Sequence, residues 1–411
     1  MQNDKLADSI KVTKVKTEAY DALIALINEV FNLDFPALLP KLYKNHPELA
    51  ECHYAIEKDA QLKSAVGSFP LELEVAGVKL DCRGIGSVST LPSCRGLGHM
   101  SALLQVAVDD MRRDGIALSV LGGQRQRYEN YGFSILGQIP TFTLTKANIK
   151  HSFNSANSVN SISSVGRKPH EPHEPHEPHE FIPLNISDKS IIKKCQALYN
   201  AQPNHSKRST PREFVEALQS WDGVPYTVFA SGSFAGYLSV HNSDVYEILL
   251  VEGVSLSEVL ADLIAFLDVW SIDIALLPHN KREIAELSGI CEHLKIVESC
   301  NFNIFDFKKV IQAFLTYKGT YSKLADGQLA LSIKDYGDIL VAVKDGKVSV
   351  DDFNPEEHSL ADANVFKFDV SGASLFLFSL ATQYNGDLDK LPSGVETWLP
   401  IPIYFPKMDN V

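Results

Sequence analysis

The chain has 411 residues, of which 45% are hydrophobic and 22% are charged, as is usual for a soluble globular protein. At about 100–200 residues per domain, this length predicts two to four domains and excludes a single small core. The net charge of −13 excludes nucleic acid as the main partner, because phosphate binding requires a basic surface. The charge is compatible with a cationic partner or with solubility alone.

Residues 1–148 are predicted to form a mixed α/β domain. Apolar residues at helical spacing predict a helix over 18–33. Leu71, Leu73 and Val75 alternate with glutamates and predict a strand, which Ala76-Gly77 turns into a hairpin. The next predicted elements are a strand, a helix, a strand and a helix: 85–90, 96–113, 116–121 and 124–131.

Residues 149–180 are predicted to be a linker, because Ser, Asn, Pro and Gly dominate and the segment closes with HEPHEPHEPHE. Proline at every third position favours polyproline II, in which neighbouring histidines lie about 9 Å apart along the axis. One zinc ion needs its ligand nitrogens within about 2.1 Å. The histidines that share one edge of such a rod are His170, His173, His176 and His179. We therefore predict that the segment is a spacer, in preference to a weak metal site formed by these histidines.

Residues 181–305 repeat the pattern of strands, helix and strand. Two helices come first and are followed by three strands, a helix and a strand: 188–200, 210–220, 226–230, 234–240, 246–251, 256–270 and 272–277. Ser255 and Glu258 predict a capping box at the start of the third helix. The junction before that helix, VEGVSLSE, contains neither Arg nor Gly-x-Gly, so no phosphate loop is predicted in this domain.

Residues 306–411 are predicted to form a small α+β domain. A helix is followed by four alternating strands and an apolar helix: 307–316, 329–333, 339–343, 348–350, 365–370 and 372–383. A proline-broken tail, WLPIPIYFPKMDNV, closes the sequence.

Features of the whole chain predict a cytoplasmic protein. The six cysteines are scattered, at positions 52, 82, 94, 195, 291 and 300, without a C-x-x-C spacing, which is typical of a reducing compartment. The N-terminal residues MQNDKLADSIKV lack the apolar core of a signal peptide. No apolar run approaches 18 residues, so no membrane partner is expected.

The segment SCRGLG, residues 93–98, lies where the helix over 96–113 is predicted to begin. The first turn of a helix carries unpaired N–H groups and a partial positive charge, which together bind phosphate. Glycine lets the backbone approach a ligand closely, and Arg95 adds a positive charge. A Gly-x-Gly alone is equally typical of an ordinary strand–helix turn, so a phosphate site is predicted only in combination with a second motif.

About thirty residues later the sequence reads RYENYGF, residues 127–133. With this second motif the chain resembles the GNAT acetyltransferases, whose pyrophosphate loop reads R/Q-x-x-G-x-G/A and whose last catalytic segment commonly reads Y-E-x-x-G-F. Arg95 and Gly98 match the loop, and Met100 stands where the family has a small residue. Tyr128, Glu129, Gly132 and Phe133 match the second motif.

The order of the three segments resembles the Eis (enhanced intracellular survival) acetyltransferases over nearly the whole chain. This resemblance implies a fold class of α/β and α+β: two GNAT-like mixed-sheet domains in tandem, then a domain like sterol carrier protein 2. The domains would span 1–148, 181–305 and 306–411, and only the first carries the motifs. Because Eis-like enzymes are hexamers, the resemblance also implies a homo-oligomer.

The same resemblance assigns a binding site for acetyl-CoA as co-substrate, with no metal. Backbone atoms of β-strand residues would bind the pantetheine, the glycine loop the pyrophosphate, and a later turn the thiol end. The implied residues are, in that order, Val88, Ser89 and Thr90; Arg95, Gly96, Leu97, Gly98, His99, Met100 and Ser101; Gly123 and Gln124. The N–H at or near Val88 would polarise the thioester carbonyl.

The resemblance implies direct attack by a primary amine in a ternary complex. Tyr128 would be the general acid that protonates the departing thiolate, since a phenol with a pKa near about 10 keeps its proton at neutral pH. The carboxylate of Val411 would be the base. His99 is better suited to phosphate contact than to catalysis, and no base lies near Cys94 in the sequence to support a covalent acetyl-enzyme.

The acceptor would be a cationic small molecule, such as an aminoglycoside or a polyamine, or a protein lysine. A binding protein is the alternative function. In that case the C-terminal domain would hold an apolar ligand, or the chain an acyl-CoA, without catalysis.

Overall fold

The computed structural model describes residues 11–155, 177–354, 365–384 and 390–411. The chain forms two compact units. Unit 1 comprises residues up to 138 together with 202–209 and 298–411, and unit 2 comprises residues 139–201 and 210–297.

The strands of the described residues are β1 (Thr13–Lys14), β2 (His53–Lys58), β3 (Gln61–Val75), β4 (Val78–Thr90), β5 (Leu118–Leu121), β6 (Ser134–Leu136), β7 (Ile139–Thr145), β8 (Glu180–Pro183), β9 (Asn204–Ser206), β10 (Val224–Ala230), β11 (Ser233–His241), β12 (Asp244–Leu250), β13 (Ser271–Ala275), β14 (His293–Val297), β15 (Cys300–Ile304), β16 (Gly327–Ile333), β17 (Gly337–Lys344), β18 (Lys347–Asp352) and β19 (Val365–Phe368). The α-helices of the same ranges are α1 (Tyr20–Phe31), α2 (Phe35–Leu38), α3 (Pro40–Tyr43), α4 (His99–Arg113), α5 (Arg125–Tyr128), α6 (Lys146–Ser155), α7 (Lys189–Asn200), α8 (Pro211–Gln219), α9 (Leu256–Leu267), α10 (Lys281–Ser288), α11 (Phe307–Tyr321) and α12 (Val370–Phe378).

The larger sheet of unit 1 has the strand order β1-β2-β3-β4-β5-β15-β6, and β9 adds to β3. Strands β3 and β4 form a long antiparallel hairpin around Ala76 and Gly77, whose positive φ values suit a tight turn. Strand β5 is parallel to β4, which requires a crossover connection, and α4 supplies it. The apolar side of α4 packs on this sheet beside β4 and β5.

Helix α11 lies in the middle of the unit 1 core. Its apolar face is buried, with Phe307, Val310, Phe314 and Tyr317 fully inaccessible to solvent. One continuous hydrophobic core joins it to the larger sheet and to the smaller sheet β18-β17-β16-β19. The described part of 306–411 therefore shares this core with strands β3, β4, β5 and β6.

Unit 2 is built around the sheet β14-β7-β13-β12-β11-β10-β8. Helix α9 packs on one face and helices α7 and α8 pack on the other. Thr210 and Glu213 form a reciprocal capping box at α8, which the sequence pattern alone did not single out. At α9 the Ser255 side chain accepts a hydrogen bond from the Glu258 N–H at 3.4 Å.

The predicted boundaries 1–148, 181–305 and 306–411 do not coincide with the two units. Strand β7 belongs to the unit 2 sheet, where it pairs with β13 and β14. Strand β15 completes the unit 1 sheet between β5 and β6. The first predicted domain therefore loses β7 to unit 2 and the second loses β15 to unit 1, because the strand partners of these short apolar segments lie far away in the sequence.

Two local predictions need correction. The helix predicted over 96–113 begins at His99, because Gly96 and Gly98 adopt left-handed φ values of 80° and 77° that a helix does not contain. Leu97, which lies before the helix, is 49% exposed. The predicted linker 149–180 begins inside α6 and ends at β8, while His170, His173 and His176 lie outside the described residues.

The described helices include none long and apolar enough to cross a membrane. Among the same residues, no cluster of three or more His, Cys, Asp or Glu could hold a metal ion. His179 donates its backbone N–H to Asp262, and its ring nitrogen Nδ1 lies 2.7 Å from the same carboxylate.

Candidate active site

The candidate site lies where strands β4 and β5 part. Their parallel pairing runs from Cys82–Leu118 to Ile85–Leu121, where β5 ends. Strand β4 continues to Thr90 along β3, so its last residues border the gap left by β5. Val88, Ser89 and Thr90, the predicted pantetheine residues, lie in this stretch. An extended ligand could form strand-like hydrogen bonds there.

A β-bulge interrupts β4 within this stretch. Gly86 pairs with Gly67 and Ser89 with Ala65, so Ser87 and Val88 stand opposite the single residue Val66. Ser87 has a left-handed φ of 52°. The bulge takes this backbone out of the regular ladder.

A buried polar chain supports the bulge from behind. The Ser87 hydroxyl hydrogen-bonds Tyr43 Oη, which lies 3.1 Å from His53 Nε2. His53 Nδ1 lies 3.2 Å from the Leu49 and Ala50 carbonyl oxygens and must carry the proton, because carbonyls only accept. Nε2 then accepts from Tyr43, and Tyr43 accepts from Ser87. Burial lowers the pKa of His53 to about 4, against smaller opposing effects of those two carbonyls, so the ring is neutral near pH 7.

The predicted phosphate loop is exposed from Arg95 to Gly98. A Cβ added at Gly96 or Gly98 would meet no atom within 4 Å, so the backbone there is open to a ligand. The loop runs into the first turn of α4, whose initial N–H groups have no partner within the helix. His99 Nδ1 lies 2.9 Å from Ser64 Oγ, which orients the ring at this turn. Burial lowers the pKa of His99, with a contribution from Lys58.

Met100, the departure from the family pattern, packs against the hydrophobic core beneath α4. Its backbone stays in the first turn of the helix. Cys94 lies in the turn that precedes the loop, and its sulfur is 3.8 Å from Ser93 Oγ, which is not a base. The predicted preference for direct attack over a covalent cysteine intermediate remains a prediction.

Tyr128 stands at the end of α5 with 8% of its surface exposed. A Cβ added at Gly123 would lie 3.2 Å from Tyr128 Cε2 and 3.8 Å from its hydroxyl oxygen, so the phenol packs on the turn after β5. Burial raises the pKa of Tyr128, and Arg127 opposes this effect. The hydroxyl therefore keeps its proton at neutral pH.

Val411 lies against the other side of the gap. A Cβ added at Gly86 would be 2.9 Å from the Val411 carboxyl carbon and 3.3 Å from its oxygen. A Cβ at Gly84 would collide with Val411 Cγ2. Gly84 and Gly86 face the same side of β4. Val411 fits against them because neither residue has a side chain. The chain terminus is thus brought to the strand residue where the β4–β5 pairing has just ended.

Asn410, Cys300 and Asn301 form contacts next to this site, between the tail and the end of β5. The Asn410 side-chain amide donates to Cys300 Sγ at 3.6 Å and lies near Gly122. Burial raises the pKa of Cys300 to about 12, so this thiol stays protonated. Asn301 donates to the Gly123 carbonyl at 3.1 Å, while its buried Oδ1 has no hydrogen-bond partner in the described structure.

Gly84 and Gly86 were not predicted as site residues from the sequence. A glycine at every second position of a strand indicates a close approach of another chain segment, and Gly84-Ile85-Gly86 carries that signal. Gln124 lies just before α5, and Ser101 in the first turn of α4. The structure brings Gly123 to Tyr128 and Gly86 to Val411, while the loop 95–98 lies at the other end of the β4 extension.

Comparison with known proteins gives a domain match and a fold match. Residues 11–136 match the family model described as acetyltransferase (GNAT) domain. A conserved protein of Enterococcus faecalis V583 has a similar structure, with a TM-score of 0.63 and 16% identity over 96% of this chain and 97% of the other. Among curated proteins, none matches.

Two further solved structures are similar along their length. A GCN5-related N-acetyltransferase from Anabaena variabilis has a TM-score of 0.59 and 15% identity over 97% of this chain and 98% of the other. Eis1 from Mycobacterium abscessus has a TM-score of 0.59 and 12% identity over 98% of this chain and 100% of the other. These likenesses show the fold, and the predicted α/β and α+β fold class is confirmed.

The matched domain contains both sequence motifs, the divergent strands and Tyr128. The chain is an N-acetyltransferase, and acetyl-CoA is its co-substrate.

Proposed function

We propose that the chain transfers the acetyl group of acetyl-CoA to a cationic primary amine by direct attack, with Tyr128 as general acid and the Val411 carboxylate as base. The observation that carries this proposal is the position of the Val411 carboxyl group against Gly86, where β4 and β5 part. Tyr128 packs on Gly123 at the end of β5, so the two groups border the same gap from its two strands.

The co-substrate would occupy the extension of β4. Val88, Ser89 and Thr90 would bind the pantetheine through backbone atoms, and Gly123 and Gln124 would contact its thiol end. Backbone N–H groups of Gly96, Leu97, Gly98, His99, Met100 and Ser101, with the Arg95 side chain, would hold the pyrophosphate. The open surface above Gly96 and Gly98 supports this assignment.

The transfer forms a bond from the amine nitrogen to the acetyl carbon and breaks the bond from that carbon to sulfur. The Val88 N–H would stabilise the negative charge that develops on the thioester oxygen. The ammonium first gives one proton to the Val411 carboxylate, which frees the lone pair that attacks the acetyl carbon. The departing thiolate takes the proton of Tyr128, the second amine proton restores that phenol through solvent, and Val411 releases its proton to solvent. Burial raises the pKa of Tyr128, so the phenol carries the proton to be donated at neutral pH.

A cationic acceptor is supported by charge. With a net charge of −13, the protein attracts cationic molecules over a range set by the ionic strength. Aminoglycosides, polyamines and lysine side chains all carry a primary amine of this kind. Assembly as a homo-oligomer, a sterol-carrier-like fold for 306–411 and a cytoplasmic location stay predictions from sequence and resemblance.

The acceptor is tested by measuring free thiol released from acetyl-CoA with an aminoglycoside, a polyamine and a lysine peptide, each against a reaction without amine. We expect release above the amine-free rate with at least one cationic amine, and a new acetamide by mass spectrometry. Release that is equal with and without every amine would contradict amine transfer. If a lipid also copurified, the apolar-ligand alternative would be favoured.

The base is tested by deleting Asn410 and Val411. We expect kcat to fall by about 10²-fold or more, the range for loss of a general base, while the dissociation constant of CoA is unchanged. A truncated enzyme that turns over at the full rate would overturn the role of Val411.

A further inference from the structure

A short tail leads to Val411, and two cations hold it. Residues 407–409 form a single 3-10 turn, and the last side chains pack between other parts of unit 1. Lys41, on α3, donates from Nζ to the Met408 carbonyl at 2.5 Å and to the Asn410 carbonyl at 2.6 Å. The tail residue between these two carbonyls is Asp409.

Asp409 is held from another side by Arg208. The guanidinium donates from Nε at 2.9 Å and from a terminal nitrogen at 2.8 Å to the two oxygens of the carboxylate. The Arg208 side chain is 2% exposed and that of Asp409 8% exposed. A bidentate pair of this kind fixes orientation as well as distance, which one lysine would not do.

Arg208 lies in a short segment of the chain that joins the sheet of unit 1. Residues 202–209 belong to unit 1, although the sequence on both sides belongs to unit 2. Strand β9 in this segment pairs with β3, and the Lys207 N–H continues the pairing by donating to the Glu72 carbonyl. The segment therefore holds Arg208 directly after the strand pairing, where it contacts the tail.

We propose that Arg208 and Lys41 are positioning residues that fix the tail 408–411 and thereby hold the Val411 carboxylate at the β4–β5 gap. This inference rests on the proposed base role of Val411. Val411 lies two positions after Asp409, so free rotation about the bonds of Asn410 and Val411 would spread the carboxylate over several ångströms. A displacement of about 1 Å in an active site can lower the rate about 10²-fold.

A purely structural ion pair is the competing explanation. Removing only Arg208 would leave the buried Asp409 charge uncompensated and destabilise the fold. The decisive variant is therefore Arg208→Met/Asp409→Leu, which removes both charges and keeps apolar volume. Lys207→Met is the matched control, because Lys207 lies in the same segment and pairs with Glu72 in an exposed ion pair at 3.4 Å.

The variants are compared by kcat, by KM for acetyl-CoA, and by the rate at which carboxypeptidase releases Val411. For the double variant we expect kcat to fall by about 10- to 100-fold with the acetyl-CoA KM within about twofold. We also expect Val411 to be released faster. Lys207→Met should match the wild type in all three measurements.

The outcomes separate this inference from the proposed function. If the double variant keeps the wild-type kcat while deletion of Asn410 and Val411 abolishes it, the positioning role is wrong and the base role stands. If the deletion leaves kcat unchanged, both are wrong. A lower kcat with Val411 protected from carboxypeptidase as in the wild type would also overturn the positioning role.

Discussion

The substitution Gly86→Ala is predicted to displace the Val411 carboxylate while leaving the charge of every group unchanged. The added Cβ would lie 2.9 Å from the Val411 carboxyl carbon. Unbonded carbon atoms approach to about 3.5–4.0 Å, so the carboxyl group must retreat by roughly 1 Å. The contact involves backbone atoms of the tail, which cannot swing aside as a long side chain would.

The expected loss is set by that displacement. A shift of about 1 Å corresponds to a decrease in kcat of about 10²-fold, or about 2.7 kcal/mol in the barrier. Overpacking destabilises the folded state by about 1–3 kcal/mol. Thiol release under saturating acetyl-CoA and amine gives kcat, and urea unfolding gives the stability.

Gly319→Ala is the matched control. Its Cβ would lie 3.5 Å from Leu324 Cδ1, an ordinary contact, and the residue is on helix α11. This change should leave kcat unaltered and raise stability by about 0.5–1 kcal/mol, because alanine is the better helix former. A folded Gly86→Ala enzyme with the wild-type kcat would refute the reasoning, since the carboxylate would then have no required position.

Three further outcomes are expected. Tyr128→Phe keeps the ring on Gly123 and removes the proton donor, so kcat should fall by about 10²–10⁴-fold with little change in the acetyl-CoA KM; an unchanged kcat measured by thiol release would remove Tyr128 from catalysis. Arg95→Ala should raise that KM by about tenfold through loss of a charge-assisted contact to phosphate, and an equal KM would place the pyrophosphate elsewhere. Burial lowers the pKa of His53 to about 4 in the folded protein, against about 6.5 in the unfolded chain. With respect to this group the protein should have its full stability above pH 6.5, and as pH falls towards 4 the unfolded chain takes up the proton and about 3 kcal/mol of stability is lost. Urea unfolding of the wild type and of His53→Gln across this pH range measures the loss.

The local part of the site could be predicted from the sequence because its chemistry depends on short spacings. Arg95 to Gly98 and Tyr128 to Phe133 are contiguous motifs, and helix periodicity identified α1, α4 and α9 to within a few residues. The start of α4 was misplaced because the left-handed glycines 96 and 98 shorten it. Residue preferences alone do not show which of two nearby glycines directly precedes the first turn of a helix.

The long-range part could not be predicted. Arg208 and Asp409 are 201 positions apart, and neither belongs to a motif. Strands β7 and β15 have similar apolar patterns, and pairing partners, not residue pattern, decide which sheet each one joins. The predicted boundary at 305/306 does not coincide with a unit boundary for a related reason: only the packed structure shows that the apolar side chains of α11 share one core with both sheets.

The most direct measurement replaces the carboxylate of Val411 by a carboxamide through semisynthesis of the last residues, which keeps the tail and its contacts but removes the base. If Val411 accepts the amine proton, kcat at pH 7 falls by about 10²-fold or more while the acetyl-CoA KM stays within about twofold. An amidated enzyme that acetylates its amine as fast as the native one would contradict the central claim.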